Sequence, residues 1–460
     1  MLDLIIKNGQ CYIDGELKDV DVAIKDGKIQ QIGQISEEAK ETINAEGHTV
    51  LPGCIDTQTH FREPGSTDTE DLHSGSRAAI AGGITSVFEM PNTNPPTSNM
   101  KEFQRKLDLA KNRMYCNYAF YFGATADNAD DLASLEGLEG CCGIKLFAGS
   151  STGNLLVAEE DDIDKVFKNA SKVVAVHSED EAILKVNKKL IKEGDVHTHP
   201  VWRSAECAIA STRRIVRIAE KHNKKAHVLH ITTKEEIDFL SQHKGNITFE
   251  ITPQHLTLYA PDCYDKLGTY AQMNPPLRDK SHYDRLWYAV RNNLNDTIGS
   301  DHAPHLKVNK DKEYPKSPSG MPGVQTLMPV MLNHVNNGKL SLKQFKNGTV
   351  LIGGGWPGIG NIEDNYTETK PENLIGNMML ACHAIPRLKS SRVARVWLGL
   401  EAETDDAMPI IGEIPNYENA YVIGSIHSGY TSGPYMGKLL AEKILGKDID
   451  LSLFDIKRFL

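Results

Sequence analysis

Five residues with the chemistry of metal ligands sit at or near the ends of apolar runs: His60 in CIDTQTH, Lys145 in GIKLF, His177 in VVAVH, His230 in HVLH and Asp301 in TIGSD. Such runs normally end in turn residues. One histidine taken alone is more often a packed or surface residue, so the repetition carries the signal. Neutral imidazole and carboxylate are the usual ligands of zinc and similar ions, and the set reads as a candidate metal site. Lys145 is the odd member, because a lysine inside an apolar strand is costly unless paired or modified. Either it snorkels to the surface, or its amine has taken up CO2 as an anionic carbamate. A carbamate can bridge two metals, which together lower the pKa of a shared water. Asp301 fits a ligand that also takes a proton from that water and returns it to a leaving amide nitrogen. The plainer alternative is a cap for the next turn, and the neighbouring His302 and His305 weigh against it.

These positions are far apart in sequence, so the fold must gather them. From residue 50 onward, apolar runs of strand length alternate with helix-period segments. The runs read as strands ending at 54–60, 85–91, 117–124, 143–149, 173–177, 227–232, 248–252 and 297–302. Helices are expected between most of them, for example at 205–222 and 233–243. Eight strands with helical crossovers predict an α/β chain with a (β/α)8 TIM barrel, which gathers strand ends at one mouth. A doubly wound sheet is the rival, but it would not place polar residues at the end of nearly every strand. Residues 1–50 alternate apolar and polar residues around Asp-Gly and Asn-Gly turns, the pattern of a small β unit. The rhythm changes again near residue 346. The division expected is therefore 1–50, an N-terminal β unit; 51–345, the barrel; and 346–460, an α+β C-terminal fragment.

Bulk properties exclude several functions. The chain has 460 residues, a net charge of −10 and no basic block, which argues against nucleic acid. No stretch approaches the length of an apolar membrane span, and the N-terminus lacks a signal-peptide pattern. Eight cysteines lie scattered without a CxxC pair, as expected of reduced thiols in a cytoplasmic protein. A small-molecule substrate is the only partner these features call for, and self-association is left open.

The motifs HFREPG (60–65), MPNTNP (90–95), GIKLF (143–147), NPPLR (274–278), SDHAPH (300–305) and GMPGVQT (320–326) resemble those of dihydroorotases in the amidohydrolase superfamily. The resemblance covers about residues 1–345 in the expected order. HFREPG and MPNTNP favour dihydroorotase over allantoinase and hydantoinase. The resemblance implies a binuclear site, usually of zinc, held by His60, carboxylated Lys145, His177, His230 and Asp301. It implies reversible closure of N-carbamoyl-L-aspartate to L-dihydroorotate, a step of pyrimidine synthesis. Arg62 and Asn92 match the residues that hold the substrate carboxylate, and Asn274 and His305 match further substrate contacts. A planar guanidinium suits that task through bidentate, charge-assisted bonds.

Two departures stand out. The family's usual His-x-His after the first strand is Gln58-x-His60 here. An amide oxygen is a weaker zinc ligand than imidazole, so one or two ions are expected, with one position weakened. The same departure leaves open a catalytically silent barrel with a scaffolding role. The strands that normally complete the N-terminal β unit, with a Gly-x-Asp-Ala-Asp-type segment, are missing, which leaves a sheet edge unpaired.

Residues 349–460 instead resemble the C-terminal part of FAD-dependent oxidases of the D-amino-acid oxidase/glycine oxidase type. The matching segments are VLIGGGWPG (350–358), RVWLGLEAETDDAMPIIG (395–412) and YVIGSIHSGYTSGPYMGKLLAEKILG (421–446). The last reads as a strand, a Gly-rich turn at 429–433 and a helix. Gly353, Gly355 and Gly358 fit G-x-G-x-x-G, but a loop-like stretch to residue 370 follows where a dinucleotide fingerprint needs a long helix. FAD is therefore not expected. The tail reads as a gene fusion or a joining of two reading frames; a flavin oxidoreductase subunit completed by a partner chain is the outlying alternative.

Overall fold

The computed structural model describes residues 1–336 except 14–15 and 151–154. Beyond 336 it describes short stretches at 343–344, 350–351, 359–361 and 366–368, scattered positions between 370 and 379, and then 409–415, 421–424 and 429–459 except 448. The chain forms two compact units, one of residues 1–354 with 376–389, the other of residues 355–375 with 390–460.

Seven short strands open the first unit: β1 (Leu2–Lys7), β2 (Gln10–Ile13), β3 (Glu16–Asp19), β4 (Asp21–Lys25), β5 (Lys28–Gly33), β6 (Ala39–Asn44) and β7 (Thr49–Val50). They make a four-stranded sheet, β5-β4-β1-β6, and a three-stranded one, β3-β2-β7. The β4–β5 hairpin turns at Asp26 and Gly27, both at positive φ (49° and 71°), as a two-residue Asp-Gly turn requires. Cross-strand register puts Leu4, Ile24 and Ile29 in one row and Ile6, Val22 and Ile32 in the next, with Ile43 beside Ile6. Ile5 and Ala23, on the opposite face, are buried, while Ile29 is 63% exposed.

Eight parallel strands follow in chain order: β8 (Cys54–Thr59), β9 (Ile84–Glu89), β10 (Asn117–Gly123), β11 (Cys141–Phe147), β12 (Val174–His177), β13 (Ala226–Val228), β14 (Ile247–Ile251) and β15 (Thr297–Ile298). A parallel bridge from Thr59 to His302 joins the two ends of this sheet. The (β/α)8 barrel expected from the alternating rhythm is thus the observed fold. Successive strand residues face opposite ways. Val174 and Val176 pack outward with Ile215 and Ala219 of the helix Ala205–Lys221. Ala175 packs inward with Met90, Tyr121 and Leu229. The same alternation sends Ile144 and Leu146 to the helices and Lys145 to the interior.

Helix starts follow their caps. Asp71, Asn99, Ser204 and Thr233 each accept a backbone N–H from the first helical turn. Thr233 is a cap, so the helix expected at 233–243 runs Lys234–Leu240. Several strands also end earlier than expected. The run 227–232 is strand only to Val228, and 297–302 only to Ile298. His230 and Asp301 stand beyond those ends at positive φ (38° and 44°), where ladder pairing cannot continue. Gly299 leaves room for the Glu250 carboxylate, which a Cβ there would overlap.

In the second unit Ile410–Glu413 pairs antiparallel with Tyr421–Gly424, and Ile411 packs with Leu440 and Leu451. The 429–433 segment read as a turn is instead the start of the helix Gly429–Ile444. Within the stretch read as loop, Ile359–Asn361 pairs with Tyr366–Glu368. The glycines at 353–358 and residues 395–408 lie outside the described residues. Among the described residues no helix is long and apolar enough to cross a membrane.

Candidate active site

The strand ends gather around one cavity of about 370 Å³, part of it open to solvent. Its walls include His60, Arg62, Asn92, Lys145, His177, His230, Asn274 and Asp301. Eight of the nine site residues expected from sequence therefore share one space. The ninth, His305, stands behind the wall: its Nε2 is 2.9 Å from the Ser319 carbonyl oxygen and 3.4 Å from Arg62 Nη2. Sequence reasoning did not single out Phe147, Ala303, Ser319 and Gly320, which complete the lining. Phe147, Ala303 and Gly320 did lie inside motifs. Gly320 has φ of +147°, and a Cβ there would come within 2.5 Å of the Ala303 carbonyl oxygen, so the wall closes only with glycine.

The imidazoles are held in defined states. His60 Nδ1 is 2.8 Å from Asn92 Oδ1 and donates to it, leaving Nε2 bare and 3.4 Å from Asp301 Oδ1. His177 Nε2 donates to Glu179 Oε2 at 2.8 Å, and its Nδ1 is 3.0 Å from His230 Nε2. His230 Nδ1 is buried without a hydrogen-bond partner. Burial lowers the pKa of all three rings, against the pull of Glu179 on His177. Neutral rings with bare lone pairs are what metal ligation needs.

Lys145 is 1% exposed, and its Nζ lies 4.6 Å over the Phe147 ring. Burial pulls its amine down to about 7, while Asp301 and Glu250 oppose the shift. Burial likewise pushes Asp301 up to about 7, with Lys145 opposing. A substantial neutral fraction near neutral pH is the form of an amine that adds CO2. Arg62 is 9% exposed, adopts φ of 63°, and donates through Nε to the Pro304 carbonyl at 3.0 Å. Behind it, Phe61 N donates to Glu89, which pairs with buried Lys106; Lys106 donates to the Met90 carbonyl. This buried pair ties the HFREPG loop to the MPNTNP loop, so that Arg62 and Asn92 share one support.

As the side chains stand, no three His, Cys, Asp or Glu among the described residues are grouped to hold an ion. His177 and His230 bond to each other, and Gln58 Nε2 donates to Asp301 Oδ1 at 2.8 Å. The donor set nevertheless fits a metal. It offers neutral imidazoles, a buried carboxylate, a buried amine, and two orphaned atoms on lining residues, His230 Nδ1 and Gln58 Oε1.

Comparison with known proteins bears on the same region. The profile of the amidohydrolase family matches residues 49–348, and that of the FAD dependent oxidoreductases matches residues 305–443. A dihydroorotase of Methanosarcina mazei is 35% identical over 360 residues, covering 75% of this chain and 78% of that protein. An allantoinase of Escherichia coli is 32% identical over 359 residues, covering 75% and 79%. Among solved structures, the L-hydantoinase of Arthrobacter aurescens superposes with a TM-score of 0.71 at 28% identity, covering 74% of this chain and 79% of that one.

Proposed function

The chain belongs to the amidohydrolase family and is a cyclic amidohydrolase, and from that premise we propose that its substrate pair is L-dihydroorotate and N-carbamoyl-L-aspartate. The observation that carries this specificity is the placement of Arg62. Arg62 lines the same cavity as Lys145, His177, His230 and Asp301. A ring that bears a carboxylate suits such a wall through a charge-assisted bond, and a ring without one gains nothing from it. The similarity to curated dihydroorotases supports the same choice.

His60, His177, His230, Asp301 and a carboxylated Lys145 are the residues that would hold one or two zinc ions. Bound zinc would supply a polarised ring carbonyl and a water of lowered pKa. In hydrolysis the water oxygen bonds to the ring carbonyl carbon and the ring C–N bond breaks. Asp301 takes the proton that water loses and gives it to the leaving nitrogen. Cyclisation runs the same steps backwards. Arg62 and Asn92 hold the carboxylate, Asn274 positions the rest of the ring, and His305 supports Arg62 from behind the wall. Under the proposed division, residues 51–345 carry this chemistry with 1–50 as an accessory β unit, and 346–460 form an oxidoreductase-like addition.

The test is turnover of L-dihydroorotate, allantoin and hydantoin by purified protein, with and without added zinc, alongside Lys145→Ala. Zinc-dependent turnover of L-dihydroorotate that is lost in the variant is the expected result. Preference for either of the other rings would overturn the substrate assignment.

A further inference from the structure

His199 lies in the short helix His199–Trp202, between β12 and the helix Ala205–Lys221, and is 0% exposed. Its Nε2 stands 3.0 Å from the Met273 carbonyl oxygen and 3.1 Å from Asn274 Oδ1. A carbonyl oxygen only accepts, so Nε2 carries a proton and donates. That donor also settles the neighbouring amide: the Asn274 atom that faces it is the oxygen, and the amide nitrogen turns the other way. Asn274 lines the cavity. On the far side of the ring, Nδ1 is buried and has no hydrogen-bond partner, so a second proton there would be stranded. Burial, helped by Arg203, lowers this imidazole to about 3 and keeps it neutral. Trp202 and Tyr314 meet the ring edge-on, with centroids at 5.9 and 5.7 Å, and hold its plane.

We propose that His199 is a positioning residue that locks the Asn274 amide with its N–H2 toward the cavity, so that this wall takes a ring carbonyl oxygen and rejects a ring N–H. Cyclic amide substrates alternate carbonyl and N–H around their edge. Rotating such a ring by one position swaps an acceptor for a donor, and a fixed amide discriminates between the two poses. A freely rotating amide would satisfy both. The proposal rests on the cyclic-amide reading of the cavity and adds which edge of the ring meets Asn274.

A double-mutant cycle on zinc-loaded full-length protein tests it, with L-dihydroorotate as the probe. His199→Phe keeps an aromatic ring and loses the donor; His199→Gln keeps a donor. We expect H199F to raise KM about tenfold with kcat within about threefold, and H199Q to recover most of the loss. Zinc per chain and Tm stay at the wild-type values. In an Asn274→Ala background, H199F adds nothing further, because the two side chains act as one. A KM within about twofold of wild type in H199F, or equal costs with and without Asn274, overturns the proposal. Asn274→Asp gives an arm independent of how H199F folds. It still accepts from His199 but offers the cavity no donor, so its KM must rise at least about tenfold, and an unchanged KM also overturns the proposal. Turnover of allantoin or hydantoin in place of L-dihydroorotate would sink the substrate assignment, and the same cycle on that ring would then decide this inference. An uncoupled cycle on a ring that is turned over would sink the inference alone, and no turnover of any ring would sink both.

Discussion

Gln58 is the place where the cavity and its chemistry are most open to a decisive perturbation. The side chain is 1% exposed, its Nε2 donates to Asp301 Oδ1 at 2.8 Å, and its Oε1 is buried without a partner. An ion held between His60 and Asp301 needs the carboxylate lone pair that this amide occupies. A hydrogen bond to a charged group is worth about 1.5–3 kcal/mol, and about 1.4 kcal/mol is a factor of ten. That position should therefore bind zinc roughly 10- to 150-fold more weakly than one built from carboxylated Lys145, His177 and His230. Gln58→His removes the competing donor and adds an imidazole two residues before His60, on the same face of β8. After dialysis against a moderate chelator, elemental analysis should find about one zinc per chain in the wild type and about two in Q58H. Gln58→Ala separates the two effects, since it frees Asp301 without adding a ligand and should tighten the weak position about tenfold. Two tightly held ions in the wild type would refute the reasoning. So would weaker binding in Q58A, which would make Oε1 a ligand rather than a bystander.

Three further outcomes are expected. Arg62→Lys should raise KM for L-dihydroorotate about tenfold and leave hydantoin turnover nearly unchanged, because an ammonium cannot reproduce bidentate geometry; parallel steady-state kinetics on both rings check this. Gly320→Ala forces a Cβ toward the Ala303 carbonyl and His305 Nε2 at φ of +147°, so kcat/KM should fall about a hundredfold while zinc content holds. Asp56 gives a pH effect: it is fully buried, and burial raises its carboxyl to about 6 from 3.8. A raised acid contributes stability that is complete below the unfolded value and is lost as pH climbs through the folded one, here roughly 3 kcal/mol, mainly between pH 4 and 6. Asp56→Asn should therefore gain in Tm relative to wild type as pH rises over that window, and a constant difference would contradict the assignment.

Much of the barrel was legible because its signals are local. Apolar runs of strand length, caps such as Ser204 and Thr233, and the Asp26-Gly27 turn each declare themselves within a few residues. The residues gathered at the cavity were legible for a different reason: imidazoles at the ends of apolar runs are conspicuous before any fold is known. What stayed hidden depends on long-range packing. His199 sits in HTHP with no periodic context, and its role exists only because the chain brings Met273 and Asn274 against it. The Glu89–Lys106 pair is likewise invisible as an i, i+17 spacing, yet it supports both the 60–65 and the 90–95 loops. The Gly-rich stretch at 429–433 misled because glycine suggests a turn, while the helix Gly429–Ile444 accommodates both glycines in its opening turns.

The misplaced strand ends follow one physical rule. Arg62, His230 and Asp301 all carry positive φ, at 63°, 38° and 44°, a conformation that costs a non-glycine residue about 1–3 kcal/mol. Each follows a strand whose ladder has just stopped. A residue that continued the strand would keep its side chain in the period-2 pattern, set by the pleat and not by the cavity. Leaving the β region re-aims the side chain at the barrel mouth, and closure of the ring through Thr59 and His302 holds it there. The two halves of the barrel supply these residues, Arg62 from the first strand's loop and Asp301 from the last. The strain is therefore held by the seam that closes the barrel, and the chemistry assigned to Asp301 and Arg62 depends on that seam staying shut.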